Sequence, residues 1–194
     1  MNDSVPYRDL REWLEKVEAL GELVRFRGAH WRLEMGGITE IIYRGPKQPK
    51  PAILFEAIPG YPPEQRALFG LLGSVRRLAL TLGMPLDYDT PIAFVRACRD
   101  HLRALRPLPP VPVASSALLD DEHAGNDIDL LEFPVPLHHE DDGGRYLGTA
   151  HAVITRDPDT GWVNLGTYRV MFHDQRTLGL HMLPGRHGAL HLQA

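Results

Sequence analysis

The chain has 194 residues, of which 43% are hydrophobic and 24% charged, with 21 Lys and Arg against 25 Asp and Glu and a formal net charge of -4. That balance excludes a disordered tail and a collagen-like fibre, and the acidic excess gives no general attraction to nucleic acid or to an anionic membrane. No apolar stretch reaches the roughly 18 residues of a membrane span, Cys98 has no second cysteine to pair with, and the start MNDSVPYRDL lacks the basic and apolar regions of a signal peptide, so a cytoplasmic location is expected.

From Asp9 to Leu20, Leu10, Trp13, Leu14, Val17 and Leu20 recur at helical spacing, and Gly21 stands where a left-handed cap ends a helix. Glu22 to Phe26 reads as a strand, Met35 to Tyr43 as a short helix and Ala52 to Ile58 as a second strand. Two helices are predicted next. One covers Arg66 to Leu82, interrupted or restarted near Gly73-Ser74, and the other runs from a Thr90-Pro91 start to about Leu105. Trp13, Trp31, Phe55 and Phe69 are core candidates, and Cys98, in the run of Ile92, Phe94, Val95 and Leu102, reads as a structural thiol.

RPLPPVPVASS, from Arg106 to Ser116, holds four prolines in eleven residues and reads as an extended linker, which puts a domain boundary near residue 110. Strands are predicted beyond it at Ala114 to Leu119, Thr149 to Thr155, Val163 to Phe172 and Leu178 to Leu183. Turns at Asp157 to Gly161 and Asp174 to Thr177 make the last three an antiparallel meander, and a helix is expected to begin after Gly185. The fold class is therefore α+β, with an α/β part over residues 1–110 and a mainly β part over 111–194.

Eight of the ten histidines lie after residue 120, which directs the search for a polar pocket there. His138-His139-Glu140-Asp141-Asp142-Gly143-Gly144 carries metal-ligating side chains, but neighbours on an extended segment point opposite ways, and the stretch reads as a surface loop. Neither a Walker loop nor a GxGxxG fingerprint after a strand is present.

Four segments in order carry a more specific signal: DLREWLEKVEALGELVRF, AILFEAIPGYP, DIDLLEFPVPLHHEDDGGRYLGTAHAVITRDPDTGWVNLGTYRV and LGLHMLPGRH. In order and spacing they resemble the UbiD family of decarboxylases, and the resemblance runs over essentially the whole chain. It implies an amino-terminal α/β domain followed by the first part of a split-barrel flavin-binding domain. It also implies non-oxidative, reversible decarboxylation of an aromatic or α,β-unsaturated acid with prenylated FMN as electron sink. The cofactor would come from a separate flavin prenyltransferase.

By position the resemblance makes Asn164 and His187 ligands of a divalent ion, manganese or magnesium, that holds the cofactor phosphate, with potassium as a further ion. It makes Arg169 the catalytic arginine beside the flavin and the substrate carboxylate, and it assigns Gly166, Thr167, Tyr168 and Arg186 to cofactor binding. The family's third metal ligand and its proton-donating glutamate match no position in these residues, so this chain is expected to be an incomplete, inactive portion, joined in a homo-oligomer or completed by another chain. The alternative is a non-catalytic flavin- or metal-binding subunit that assembles with a catalytic partner. Asn164 and Arg169, five residues apart, would point to opposite faces of a regular strand, so a bulge or strand break between them is expected at Gly166-Thr167.

Overall fold

A computed structural model describes residues 5–106, 109, 111–116, 119, 120, 122–148 and 151–194. In chain order the elements are α1 (Leu10–Ala19), β1 (Leu23–Arg27), α2 (Glu34–Arg44), β2 (Ala52–Glu56), β3 (Ala67–Phe69), α3 (Val75–Thr81) and α4 (Pro91–Ala104), then β4 (Arg145–Gly148), β5 (Ala152–Arg156), β6 (Val163–Thr167), β7 (Arg169–Phe172), β8 (Leu178–His181) and α5 (His187–Gln193). The described residues divide into two compact units: those within 1–26, 41–54 and 68–123, and those within 27–40, 55–67 and 124–194. β1, β2 and β3 form a sheet in that order. Among the described residues no helix is long and apolar enough to cross a membrane.

In the first unit Asp9 opens α1 by accepting hydrogen bonds from the backbone N–H groups of Arg11 (2.8 Å) and Glu12 (3.2 Å), a cap that contributes about 1 kcal/mol. Gly21 takes a φ of +72° beyond its end. The buried face of α1, Trp13, Leu14 and Val17, packs with Ala52 and Leu54 of β2 and Leu80 of α3. Thr90 caps α4 by accepting from the Ala93 N–H (3.1 Å), and Phe94 packs with Ala79 and Met84, with half-buried Cys98 at the margin.

Of the helix expected over Arg66 to Leu82, with a restart near Gly73-Ser74, only the part after the restart forms, from Val75, because residues 67–69 join the sheet and Ser74 caps α3. The cause is Arg77. Its guanidinium is fully buried against the Glu22 carboxylate (2.8 Å) and donates to the carbonyls of Lys50 (2.6 Å), Gly70 (3.2 Å) and Leu71 (3.1 Å). These bonds tie residues 70 and 71 to α3, and the Gly70 carbonyl also closes a turn by accepting from the Gly73 N–H (3.2 Å). The strand expected over Ala114 to Leu119 is likewise absent among the described residues. Ala114, Ser115, Ser116 and Leu119 pair with no strand, while 117 and 118 lie outside the described residues, as do 107, 108 and 110 of the linker.

In the second unit the Leu33 N–H donates to the Leu137 carbonyl (2.9 Å) and the Leu137 N–H to the Trp31 carbonyl (3.1 Å), docking residues 30–37 on 137–138. Gly36 is required there, since a Cβ would stand 2.2 Å from the His138 carbonyl oxygen. Trp31, expected in a core, is half-buried, and its ring face carries the Arg145 guanidinium at 4.2 Å. Phe69 is also only half-buried, whereas Trp13 and Phe55 are buried. Arg145 further donates to the Val135 carbonyl (2.6 Å), the Phe133 carbonyl (3.0 Å) and the Tyr61 hydroxyl (2.6 Å). These bonds fix the start of β4, a strand the glycine-rich loop pattern concealed.

The expected meander of three strands is divided between two sheets. β5 and β6 form an antiparallel pair, while β7 lies between β4 and β8 in an antiparallel sheet of its own. The segment Val163 to Phe172 thus serves two sheets, one on each side of Tyr168. Residues 149 and 150, expected in the strand before β6, lie outside the described residues.

Candidate functional site

The site is built around the turn before β6 and the change of sheet after it. Asp157 accepts hydrogen bonds from the N–H groups of Asp159 (3.0 Å) and Thr160 (2.7 Å), and Gly161 takes a φ of +71°. Those bonds, the Thr160 backbone first, hold the Asp157 carboxyl below its usual range, with His191 adding a smaller pull. The reversal sets β6 against β5 in the register Ala152↔Thr167 through Arg156↔Val163. Period-2 alternation then places Asn164 and Gly166 on the covered face and exposes Val163, Leu165 and Thr167. Helix α5 packs on β5 and β6, with Gly188, Ala189 and His191 buried.

Tyr168 is the hinge of this arrangement. The break between Asn164 and Arg169 falls on it, one residue beyond the expected Gly166-Thr167, because Gly166 stays paired with Val153. Its buried hydroxyl accepts from the Gly188 N–H (2.8 Å) and from Asn164 Nδ2 (3.4 Å), and the same amide nitrogen reaches Thr155 Oγ1 (3.2 Å). Both glycines are close approaches to this phenol. A Cβ at Gly166 would lie 2.4 Å from the Tyr168 ring, and one at Gly188 2.7 Å from its hydroxyl.

A cavity of about 750 Å³ opens here. It is lined by every one of the predicted site residues: Asn164, Gly166 and Thr167 from β6, Tyr168 at the break, Arg169 at the start of β7, and Arg186 and His187 where α5 begins. Asn164 is buried, and Arg169, Arg186 and His187 are exposed. The Arg169 guanidinium lies 5.7 Å from the centroid of the Tyr146 ring. His181 and Leu183 also line the cavity and were missed from sequence. His181 stands opposite Arg169 in the β7–β8 register, a relation no spacing in a single sequence reveals.

The lining carries two guanidinium groups and two imidazoles, and no Asp or Glu is among its described residues. In a chain of net charge -4 this is a local cationic pocket, suited to phosphate or carboxylate groups. Asn164 and His187 bring an amide and an imidazole to it, donors a divalent cation accepts. Among the described residues no group of three or more His, Cys, Asp or Glu is placed to hold a metal, the His138–Gly144 loop included. In that loop burial holds the His138 imidazole below its ordinary value, and Asp142 accepts from the His139 N–H (3.0 Å), closing a turn.

Residues 14–91 match the family model described as the 3-octaprenyl-4-hydroxybenzoate carboxy-lyase N-terminal domain, and residues 112–194 match that of the 3-octaprenyl-4-hydroxybenzoate carboxy-lyase Rift-related domain. The chain is 32% identical over 187 residues to a pyrrole-2-carboxylic acid decarboxylase of Pseudomonas aeruginosa, with 92% of this chain and 37% of that protein covered. Its fold is similar to the closed form of vanillic acid decarboxylase from Sedimentibacter hydroxybenzoicus (TM-score 0.85, 27% identity, 98% of this chain and 40% of that one). It is also similar to an evolved dimeric form of a UbiD-class enzyme from Pelotomaculum thermopropionicum in complex with prFMN (TM-score 0.77, 27% identity, 96% and 41%). The chain thus spans about two fifths of the length of these relatives.

Proposed function

This chain belongs to the UbiD family, and from that premise we propose that it is part of an enzyme that decarboxylates an aromatic or α,β-unsaturated carboxylic acid, reversibly and without oxidation, using prenylated FMN. The observation that carries this reading is the cavity at the β6–β7 break, where seven residues assigned from sequence line one cationic pocket. Relatives named for pyrrole-2-carboxylic acid and phenolic acid decarboxylation point to aromatic acids as the substrate class. The family match over residues 112–194 supports β4 to β8 as the first part of a split barrel, with a boundary near residue 110 between it and the amino-terminal α/β part.

The residues fit the cofactor. A volume of about 750 Å³ lies within the roughly 300–1,000 Å³ of small-molecule sites. Asn164 and His187 would hold the divalent ion, manganese or magnesium, with potassium as a further ion. Both hydrogen bonds of Asn164 use Nδ2, which leaves its oxygen for the metal. Arg186 and the backbone of Gly166, Thr167 and Tyr168 would border the flavin. Bound prenylated FMN supplies an electron sink for the carbanion that carbon dioxide leaves behind. Arg169, with a planar fork that grips a carboxylate through two hydrogen bonds, orients the acid before cleavage. The proton donor and the third metal ligand would come from outside these 194 residues, so the isolated chain is expected to show no turnover. In the cell the reading places the enzyme in the cytoplasm as an oligomer supplied by a flavin prenyltransferase.

The test separates two roles in the complete enzyme. His187→Ala should lower manganese affinity about 10–100-fold and lose flavin with it. Arg169→Ala should keep flavin and lose turnover, and Arg169→Lys should rescue poorly for want of the planar fork. Normal flavin content with near-normal turnover in both variants would end this reading.

A further inference from the structure

An imidazole that binds a metal is ordinarily oriented by a hydrogen bond from its other ring nitrogen to a carboxylate, carbonyl or water. Among the described residues no hydrogen bond engages the His187 ring. The ring instead meets the indole of Trp162 edge to face, with centroids 4.8 Å apart and planes at 76°. His191, one helical turn further along α5, meets the same indole at 5.1 Å and 84°. His191 is buried, and among the described residues neither of its ring nitrogens has a hydrogen-bond partner. Buried polar atoms almost always find partners. Beside its pull on the Asp157 carboxyl, the His191 ring serves as a packing surface for Trp162.

The backbone shows why Trp162 can hold its place although half its area is exposed. Its carbonyl accepts from the Asp157 N–H (2.9 Å) and its own N–H reaches Thr160 Oγ1 (3.3 Å), so the Asp157–Gly161 turn pins it at the entrance to β6. Two residues on, buried in β6, stands Asn164. One short stretch of chain therefore carries one proposed metal ligand and the clamp on the other.

We infer that Trp162 is a positioning residue for His187, that His191 is the wall that sets the Trp162 ring, and that this stack does the orienting work a hydrogen bond does elsewhere. The inference rests on the reading of His187 as a metal ligand. Indole suits the task because its broad face and edge restrict the imidazole without offering a lone pair that would compete for the ion.

The test uses the complete enzyme with Mn2+ and FMN, reading bound manganese by electron paramagnetic resonance and the His187 ring by NMR of histidines labelled at Cε1. Trp162→Phe keeps an aromatic edge, and Trp162→Leu fills the volume without one. Manganese affinity is expected to fall about tenfold or more in Trp162→Leu and to stay within about threefold of the parent in Trp162→Phe. The ring-current displacement of the His187 signal should vanish in Trp162→Leu even before metal is added. His191→Leu should weaken binding in the same direction. Equal affinity for the Leu and Phe variants, with His187→Ala impaired, would overturn the positioning role and leave the ligand assignment standing. A His187→Ala variant that binds manganese as the parent does would overturn the ligand assignment, and the inference with it.

Discussion

Replacing Tyr168 by Phe removes a single oxygen from the centre of the site. That oxygen accepts from the Gly188 N–H at 2.8 Å and from Asn164 Nδ2 at 3.4 Å, and both groups are buried. Asn164 keeps its bond to Thr155, so the group left without a partner is the Gly188 amide in the first turn of α5. An orphaned buried donor costs about 1–3 kcal/mol, equivalent to a rise of about 5–150-fold in the opening constant of that turn. Gly188 offers no alternative, since it approaches the phenol so closely that a Cβ there would lie 2.7 Å from the oxygen. Native-state hydrogen exchange at the Gly188 amide reads the effect directly: its protection should fall by that factor in Tyr168→Phe, with protection in α1 unchanged. Loosening this turn also frees the adjoining His187, so any manganese affinity should fall with it. Unchanged protection at Gly188 would refute the view that the Tyr168 hydroxyl ties α5 to the β6–β7 break.

Three further outcomes follow from the same reasoning. Arg77→Leu takes its nearest cation from the Glu22 carboxylate, which is 4% exposed and among the described residues keeps only Arg76 at 3.8 Å and the Ser74 hydroxyl, and should cost about 3–5 kcal/mol in urea unfolding; pairing it with Glu22→Leu should recover the part of that loss owed to the carboxylate, and no recovery would refute the ion-pair account. Gly36→Ala forces a methyl group onto the His138 carbonyl and should destabilise the second unit by about 1–3 kcal/mol, seen as faster proteolysis around residues 30–37. The Asp157 carboxyl lies below its ordinary value of 3.8 in the folded chain, so its contribution is complete above that value and is lost as pH falls through the lower folded one. The Thr160 amide shift should report this titration, and Asp157→Asn should abolish it.

Much of the amino-terminal part was legible because its signals are local. Asp9, Gly21 and the Thr90-Pro91 pair are caps whose chemistry acts within a few residues, and helices follow at α1 and α4 as read. The reading of Arg66 to Leu82 held at its restart, where Ser74 caps α3, and failed before it, where apolar spacing allowed a helix but the guanidinium of Arg77, the third residue of α3, binds the carbonyls of Gly70 and Leu71. That demand originates in Glu22, 55 residues away in sequence. No window of local pattern contains it. Trp31 failed for a similar reason, since an aromatic that faces a cation from residue 145 is indistinguishable in sequence from one in a core.

The site shows the same division between local and distant information. Residue types and family order assigned seven positions, and one cavity borders all seven. The parity argument foresaw a bulge or strand break between Asn164 and Arg169 but not the change of sheet that the break brings. Burial instead keeps its alternation, with Asn164, Tyr168, Val170 and Phe172 all buried. What changes at Tyr168 is the partner, from β5 before it to β4 and β8 after it. Changing sheets lets two strands with the same inward parity border one opening, so Arg169 reaches the cavity as an exposed residue while Asn164 reaches it as a buried one. This solution needs a residue at the junction that ends one ladder and anchors the helix crossing it. A tyrosine does both, because its ring fills the space left open by Gly166 while its hydroxyl receives the Gly188 amide.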